Sequence, residues 1–123
     1  MEIKRPSLNS FGFRFLKSDA KLRFLSDFIS TENIKIYDVR NLFDPFYIAG
    51  DKTGLDQDVM ELVFEKGGSK IVEQILQDIN SNPNIDQIWV GCKGGRHRSV
   101  AICEILTSKL ENFKPVNHHH INL

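Results

Sequence analysis

The sequence predicts an α/β fold, a single layered domain over residues 1–123 whose sheet is partly parallel and flanked by helices. Three observations carry that expectation. Short runs with a two-residue apolar period alternate along the chain with longer runs of three-and-four spacing. The strands are joined through helices, as right-handed crossovers between parallel strands require. With 123 residues, 41% of them hydrophobic and 26% charged, the chain has one ordinary core to build.

Taken in order, residues 1–7 are a polar lead-in, and Leu8 to Phe15 alternates with Phe11, Phe13 and Phe15 on one side of a first strand. Ser18 and Asp19 are N-cap types ahead of Leu22, Phe24, Leu25, Phe28 and Ile29, so the first helix is expected over Asp19–Ile29. Ile34 to Arg40 alternates strictly, with Ile34, Ile36 and Asp38 on one face and Lys35, Tyr37 and Val39 on the other. Asn41 to Gly54 contains Asp44-Pro45, Gly50-Asp51 and Thr53-Gly54 and reads as a long loop, a place where function concentrates. Leu55–Phe64 is a helix capped by Asp56 and stopped by Gly67-Gly68. Ser69 opens another helix through Ile79, ended by Asn80-Ser81-Asn82-Pro83-Asn84. Gln87-Ile88-Trp89-Val90 is a buried strand, the segment from Ser99 to about Glu111 a helix, and the tail His118–Leu123 a last edge strand with solvated histidines.

Composition narrows the function classes. The 16 basic side chains balance the 16 acidic ones, so no whole-molecule field attracts polyanions and any nucleic-acid contact rests on a local patch. No stretch approaches a transmembrane span or a secretory signal, which gives the expectation of a cytoplasmic protein that does not meet a membrane. Two cysteines are too few for a disulfide framework; Cys103 falls within a helix as a core thiol, and Cys92 has the chemical prospects. Three adjacent histidines at the tail alternate faces and lack a companion cluster, so no metal and no cofactor is expected.

The chemistry gathers in Gly91-Cys92-Lys93-Gly94-Gly95-Arg96-His97-Arg98-Ser99, between a buried strand and a helix start. Paired glycines let the backbone turn its amides inward, the helix N-terminus adds unpaired N–H groups, and three basic or titratable side chains crowd the turn. Such a concavity suits phosphate, for which Arg supplies a planar fork. In open parallel sheets ligands collect at the carboxyl ends of strands. Loops leave two such ends, after Arg40 and after Cys92, so Asp38, Arg40, Thr53 and Gly54 border the same crevice if their strands are neighbours.

Two function classes compete. In the first the chain is a binding module, with Gly94, Gly95 and Ser99 as donors, Arg96 and Arg98 on phosphate oxygens, Arg40 and Thr53 at the rim, and Asp38 orienting Arg40 or accepting a hydroxyl. In the second, Cys92-x5-Arg98-Ser99 is the signature of a cysteine-dependent phosphatase, with Cys92 as nucleophile, Arg98 as clamp and Asp38, Asp44 or Asp51 as general acid. Gly91 stands where such enzymes usually carry a histidine, and the binding module is the favoured class.

Ser10-Phe11-Gly12-Phe13, then Tyr37-Asp38-Val39-Arg40 with Asp44-Pro45, then Thr53-Gly54-Leu55-Asp56, and finally Gly91 to Val100 occur in the order found in the C-terminal domain of the RapZ/YvcJ family, which this chain resembles over nearly its whole length. Members resemble RNase adaptor proteins with an N-terminal P-loop domain. The resemblance implies a phosphate-recognising, RNA-binding module that senses a phosphorylated small molecule of the amino-sugar phosphate class, with no established catalysis of its own. The aromatic-rich start leaves room for a homo-oligomer, and because no Gly-x4-Gly-Lys-Ser/Thr loop occurs in these residues a separate nucleotide-binding partner has a place. Lys93 stands where the family has Thr, Arg96 where it has Lys, Asp44 where it has Asn, and Phe15 where it tends to a polar aromatic or histidine. His118-His119-His120 replaces a more basic tail.

Overall fold

The structure, a computed structural model, describes residues 6–27, 31–110 and 115–123. Four strands, β1 (Ser7–Gly12), β2 (Ile34–Asp38), β3 (Gln87–Cys92) and β4 (Asn117–His118), form one sheet in the order β2-β3-β1-β4. Every pairing is parallel. The helices are α1 (Phe46–Ala49), α2 (Gln57–Val63), α3 (Ser69–Ser81) and α4 (Arg98–Lys109). Among the described residues no helix is long and apolar enough to cross a membrane.

Side-chain alternation along the strands sorts the core into two. Leu8, Ile88, Val90 and Cys92 point to one face, where α2, α3 and α4 cover them with Val59, Val63, Val72, Ile75 and Ile102. Phe11 and Trp89 point to the other, joined by Ile34 and Ile36 of β2 and covered by Leu16, Leu22 and Leu25. Each such side chain contributes about 1.5–3 kcal/mol through burial, which outweighs local propensity. Helix α4 lies deepest, with Val100, Ala101, Ile102 and Cys103 fully buried, and it contacts β1, β3, α2 and α3. Burial pushes the Cys103 thiol pKa up, so it packs as an apolar thiol.

Several elements depart from the sequence reading. The first strand ends at Gly12, and Phe13–Phe15 is a 3-10 turn, because β3 supplies no ladder partner beyond the Gly12 and Cys92 pair. The first helix is 3-10 over Ala20–Asp27; Leu22 and Leu25, three apart, eclipse in that geometry and both face the second core. Its expected end at Phe28 and Ile29 lies outside the described residues, as does Glu111. Strand β2 stops at Asp38 and β3 continues to Cys92, since β1 and β2 flank it as far as Cys92 and Gly91 respectively. The long loop holds the short helix α1. Asp56 stands at the N-cap of α2, but its carboxylate turns back to the Thr53 amide at 2.7 Å. Helix α2 passes through a π turn, Phe64–Gly68, into α3, with Gly67 at φ 111° breaking the run.

The tail is the largest difference. His120 is fully buried, accepting the Gly12 amide at Nδ1 (2.8 Å), so that Nε2 carries the proton and donates to Asp19 at 3.0 Å. His118 bridges Ser10 (2.6 Å) and Glu104 (2.7 Å). His119 stacks on Trp89 at 4.9 Å and donates to Asn9 at 3.1 Å. His118 and His120 are therefore fastenings for the C-terminal strand, while His119 stays exposed as expected of a solvated tail.

Candidate functional site

All four strands are parallel, so the chain leaves β1, β2 and β3 at the same edge of the sheet. Strands β2 and β3 are direct neighbours, with Asp38 opposite Gly91, which brings the two expected loops together. The end of β1 is a third contributor. Arg14, two residues past Gly12, donates its amide to the Lys93 carbonyl at 3.1 Å and lines the cleft that results.

The turn from β3 into α4 is held by close backbone contact. Gly95 has φ 70°, and a Cβ there would stand 2.6 Å from the Gly12 nitrogen. Gly12 is confined by the same approach, a Cβ falling 2.5 Å from the Gly94 carbonyl carbon. At Gly91 a Cβ would meet the Phe11 ring at 2.4 Å, which explains why glycine, and not histidine, precedes Cys92. Gly94 differs: a Cβ there would meet nothing within 4 Å, because its face is open to the cleft. Cys92 is buried beneath the turn, its Sγ 3.2 Å from the Gly95 amide and 3.2 Å from Ser99 Oγ.

The three basic side chains after the glycines grip the long loop. Arg96 donates to the Asp51 carbonyl at 2.8 Å and His97 Nε2 to the Lys52 carbonyl at 2.8 Å. Arg98 Nη1 donates to the carbonyls of Arg40 (2.7 Å) and Leu42 (3.1 Å), and Nη2 reaches Asp44 at 3.5 Å. Arg98 is 5% exposed, and its Nε is buried with no hydrogen-bond partner. Of the five guanidinium protons, two on Nη1 are taken and one on Nη2 is loosely engaged. Nε–H is left without an acceptor, beneath the surface of the cleft. Arg98 lines a cleft of about 460 Å³ together with Cys92, Lys93, Gly94 and Arg96. A second hollow adjoins it, sharing Arg14, Asp44, Lys93 and Arg98 and adding Phe13 and Arg40.

Charges of both signs line the cleft, Arg14, Lys93, Arg96 and Arg98 with Asp44 and Asp51. Burial holds His97 below its ordinary pKa, despite the Lys52 carbonyl that favours its proton, and Arg96 and Arg98 add to the depression. Asp38 is held below the usual carboxylate range, chiefly by its hydrogen bonds with Arg40. Arg40 is fixed at 2.7 Å to Asp38 and lies 3.9 Å over the Phe13 ring. Asp44 accepts the Phe46 amide at 3.0 Å and so starts α1 at the lip of the cleft.

The structure thus brings Cys92, Lys93, Gly94, Arg96, His97 and Arg98 around one cleft, with Gly95 and Ser99 beneath them and Arg40 at the adjoining hollow. Asp38 stands behind Arg40. Thr53 and Gly54 lie behind the turn: Gly54 donates to the Arg96 carbonyl at 2.9 Å, and a Cβ on it would fall 2.4 Å from the His97 carbonyl oxygen. Their role in the geometry is to let the long loop approach the start of α4. Sequence reasoning missed Arg14, Phe46, Tyr47 and Leu123, all of which line the cleft. Only Arg14 had a usable signal, its place just past a third strand end. Among the described residues no group of three or more metal-ligating side chains comes together. A family model described as the RapZ C-terminal domain matches residues 6–123.

Proposed function

The chain belongs to the RapZ C-terminal domain family, and from that membership and the cleft we propose that it is a regulatory binding module that recognises a phosphate group on RNA or on a phosphorylated small molecule. The observation that carries the reading is Arg98, whose Nε is buried and unpartnered and which lines one cleft with Lys93, Gly94 and Arg96 at the start of α4. Burying a guanidinium N–H without a partner costs free energy, and an oxyanion offsets that cost with charge-assisted hydrogen bonds. The α4 dipole, about half a positive charge at its N-terminus, adds to the attraction. Lys93 and Arg14, both exposed at the mouth, supply further positive charge.

The test is titration with orthophosphate by calorimetry or amide chemical shifts, on the wild type and on Arg98→Lys. Binding that maps to residues 92–99 and weakens at least tenfold in the lysine variant is expected, since an ammonium lacks the fork. Orthophosphate shifts confined to other parts of the chain overturn the reading. Salt separates the two ligand classes: RNA held through several cations loses affinity steeply with ionic strength, while a single phosphate loses little.

The thiol favours a second reading. Cys92 Sγ receives the Gly95 amide and faces Ser99 Oγ at 3.2 Å each, an arrangement that would support a thiolate attacking phosphorus, with Asp44 in the same cleft to protonate the departing oxygen. Turnover of an aryl phosphate that vanishes in Cys92→Ser would establish it; absence of turnover with phosphate binding intact in both proteins leaves the binding module.

A further inference from the structure

The lip of the cleft is aromatic. Helix α1 presents Phe46 and Tyr47, 61% and 92% exposed, with ring centroids 5.3 Å apart at 86°. Both line the same cleft as Cys92 and Arg98. Resting on the phosphate reading above, we propose that the ligand is a nucleoside monophosphate, free or as the phosphorylated end of a strand, with its phosphate at Arg98 and its base stacked on the Tyr47 ring, which Phe46 meets at 86° and holds in place.

Three features point to that class. Water-exposed rings rimmed by charge are unfavourable on a surface that covers nothing, and a flat π-system stacks on a protein ring whatever its hydrogen-bonding edge. The cleft, about 460 Å³, falls in the range of roughly 300–1,000 Å³ typical of small-molecule sites and far exceeds what one orthophosphate fills. The same cleft contains Asp44 and Asp51. Their carboxylates accept hydroxyls, as a ribose offers, and repel second and third phosphates, so a monophosphate is favoured over a di- or triphosphate.

The experiment compares AMP, ADP, ribose 5-phosphate and orthophosphate by calorimetry on the wild type, Tyr47→Ala, Phe46→Ala and the control Ile48→Ala, which alters an exposed residue of the same helix. AMP should bind about tenfold or more tighter than ribose 5-phosphate and tighter than ADP. That advantage should vanish in Tyr47→Ala and shrink in Phe46→Ala, while Ile48→Ala keeps it. A 5′-phosphorylated oligonucleotide that binds more tightly than both AMP and its unphosphorylated form would assign the ligand to a strand end; otherwise the free nucleotide is the source. If AMP and ribose 5-phosphate bind alike, the stacking inference fails and the phosphate reading stands. If neither they nor orthophosphate bind, both fail. Sedimentation that finds a dimer turned monomeric by Tyr47→Ala would make the lip a contact between copies and overturn the inference.

Discussion

Two adjacent glycines should respond in opposite ways to the same methyl group. At Gly95 an alanine would have to hold φ near 70° and place its Cβ 2.6 Å from the Gly12 nitrogen, 2.8 Å from the Phe11 carbonyl carbon and 3.0 Å from His120 Cβ. The left-handed conformation costs about 1–2 kcal/mol. Two of the three clashing atoms are backbone of β1, which its pairing with β3 holds in place, so relief by movement adds about 1–3 kcal/mol. Gly95→Ala is thus expected to lose about 2–5 kcal/mol from a stability that for domains is about 5–15 kcal/mol. At Gly94 the backbone is not left-handed and a Cβ meets nothing within 4 Å, so the variant should fold as well as wild type or gain about 0.4–1 kcal/mol. On the proposed reading its methyl enters the cleft at the anion position, and orthophosphate affinity should fall tenfold or more. Urea unfolding followed through the single tryptophan, Trp89, gives the first quantity and calorimetric titration the second. The reasoning is refuted if Gly95→Ala unfolds within about 0.5 kcal/mol of wild type, or if Gly94→Ala binds orthophosphate undiminished.

Other outcomes follow from the same geometry. His120→Ala leaves the Gly12 amide without an acceptor in a fully buried site and opens a void, a loss of about 2–4 kcal/mol; His119→Ala, which gives up a stacked contact with Trp89, should lose about 0.5–1.5 kcal/mol, and equal urea midpoints for the two variants would contradict the assignment. Acid should weaken the fold through two of its histidines. Burial lowers the pKa of both His97 and His119 below 6.5, so the unfolded chain binds more protons, and stability present above pH 6.5 is lost as pH falls through 6.5 towards the folded values. Urea midpoints at pH 7.5 and 5.0 measure this, and His97→Gln should reduce the difference. Arg40→Ala should leave the 460 Å³ cleft intact and so retain most orthophosphate affinity, because its guanidinium is engaged by Asp38 and Phe13 at the adjoining hollow; loss of binding comparable with that of Arg98→Lys would show that the two hollows act as one site.

Much of the architecture was legible in the residues. The alternation over Ile34–Asp38 assigned Ile34 and Ile36 to one core and Tyr37 to the other, and the three-and-four spacing from Ser69 onward matched α3. The first helix was harder, because Leu22 and Leu25 fit α and 3-10 spacing equally and only the surface they cover distinguishes the two. The tail misled at His118 and His120, because polar, titratable residues in a row look solvated until their partners are known. Four of those partners, Ser10, Asn9, Gly12 and Asp19, lie about a hundred residues upstream.

By itself the sequence determined that a strand, a glycine turn and a helix start would stand in succession at Cys92, and that anion-seeking groups would crowd there. These are properties of neighbouring residues, set by backbone sterics and local hydrogen bonding. Only the tertiary structure decided how those groups are used. The Arg98 Nη1 protons go to the carbonyls of Arg40 and Leu42, more than fifty residues away, while Nε is left without an acceptor. The parallel order of β2, β3 and β1 likewise brings Arg14, Tyr47 and Arg98 around one cleft. A guanidinium has five equivalent-looking donors until the fold supplies acceptors for some of them, and that allocation depends on which distant backbone is carried to its side.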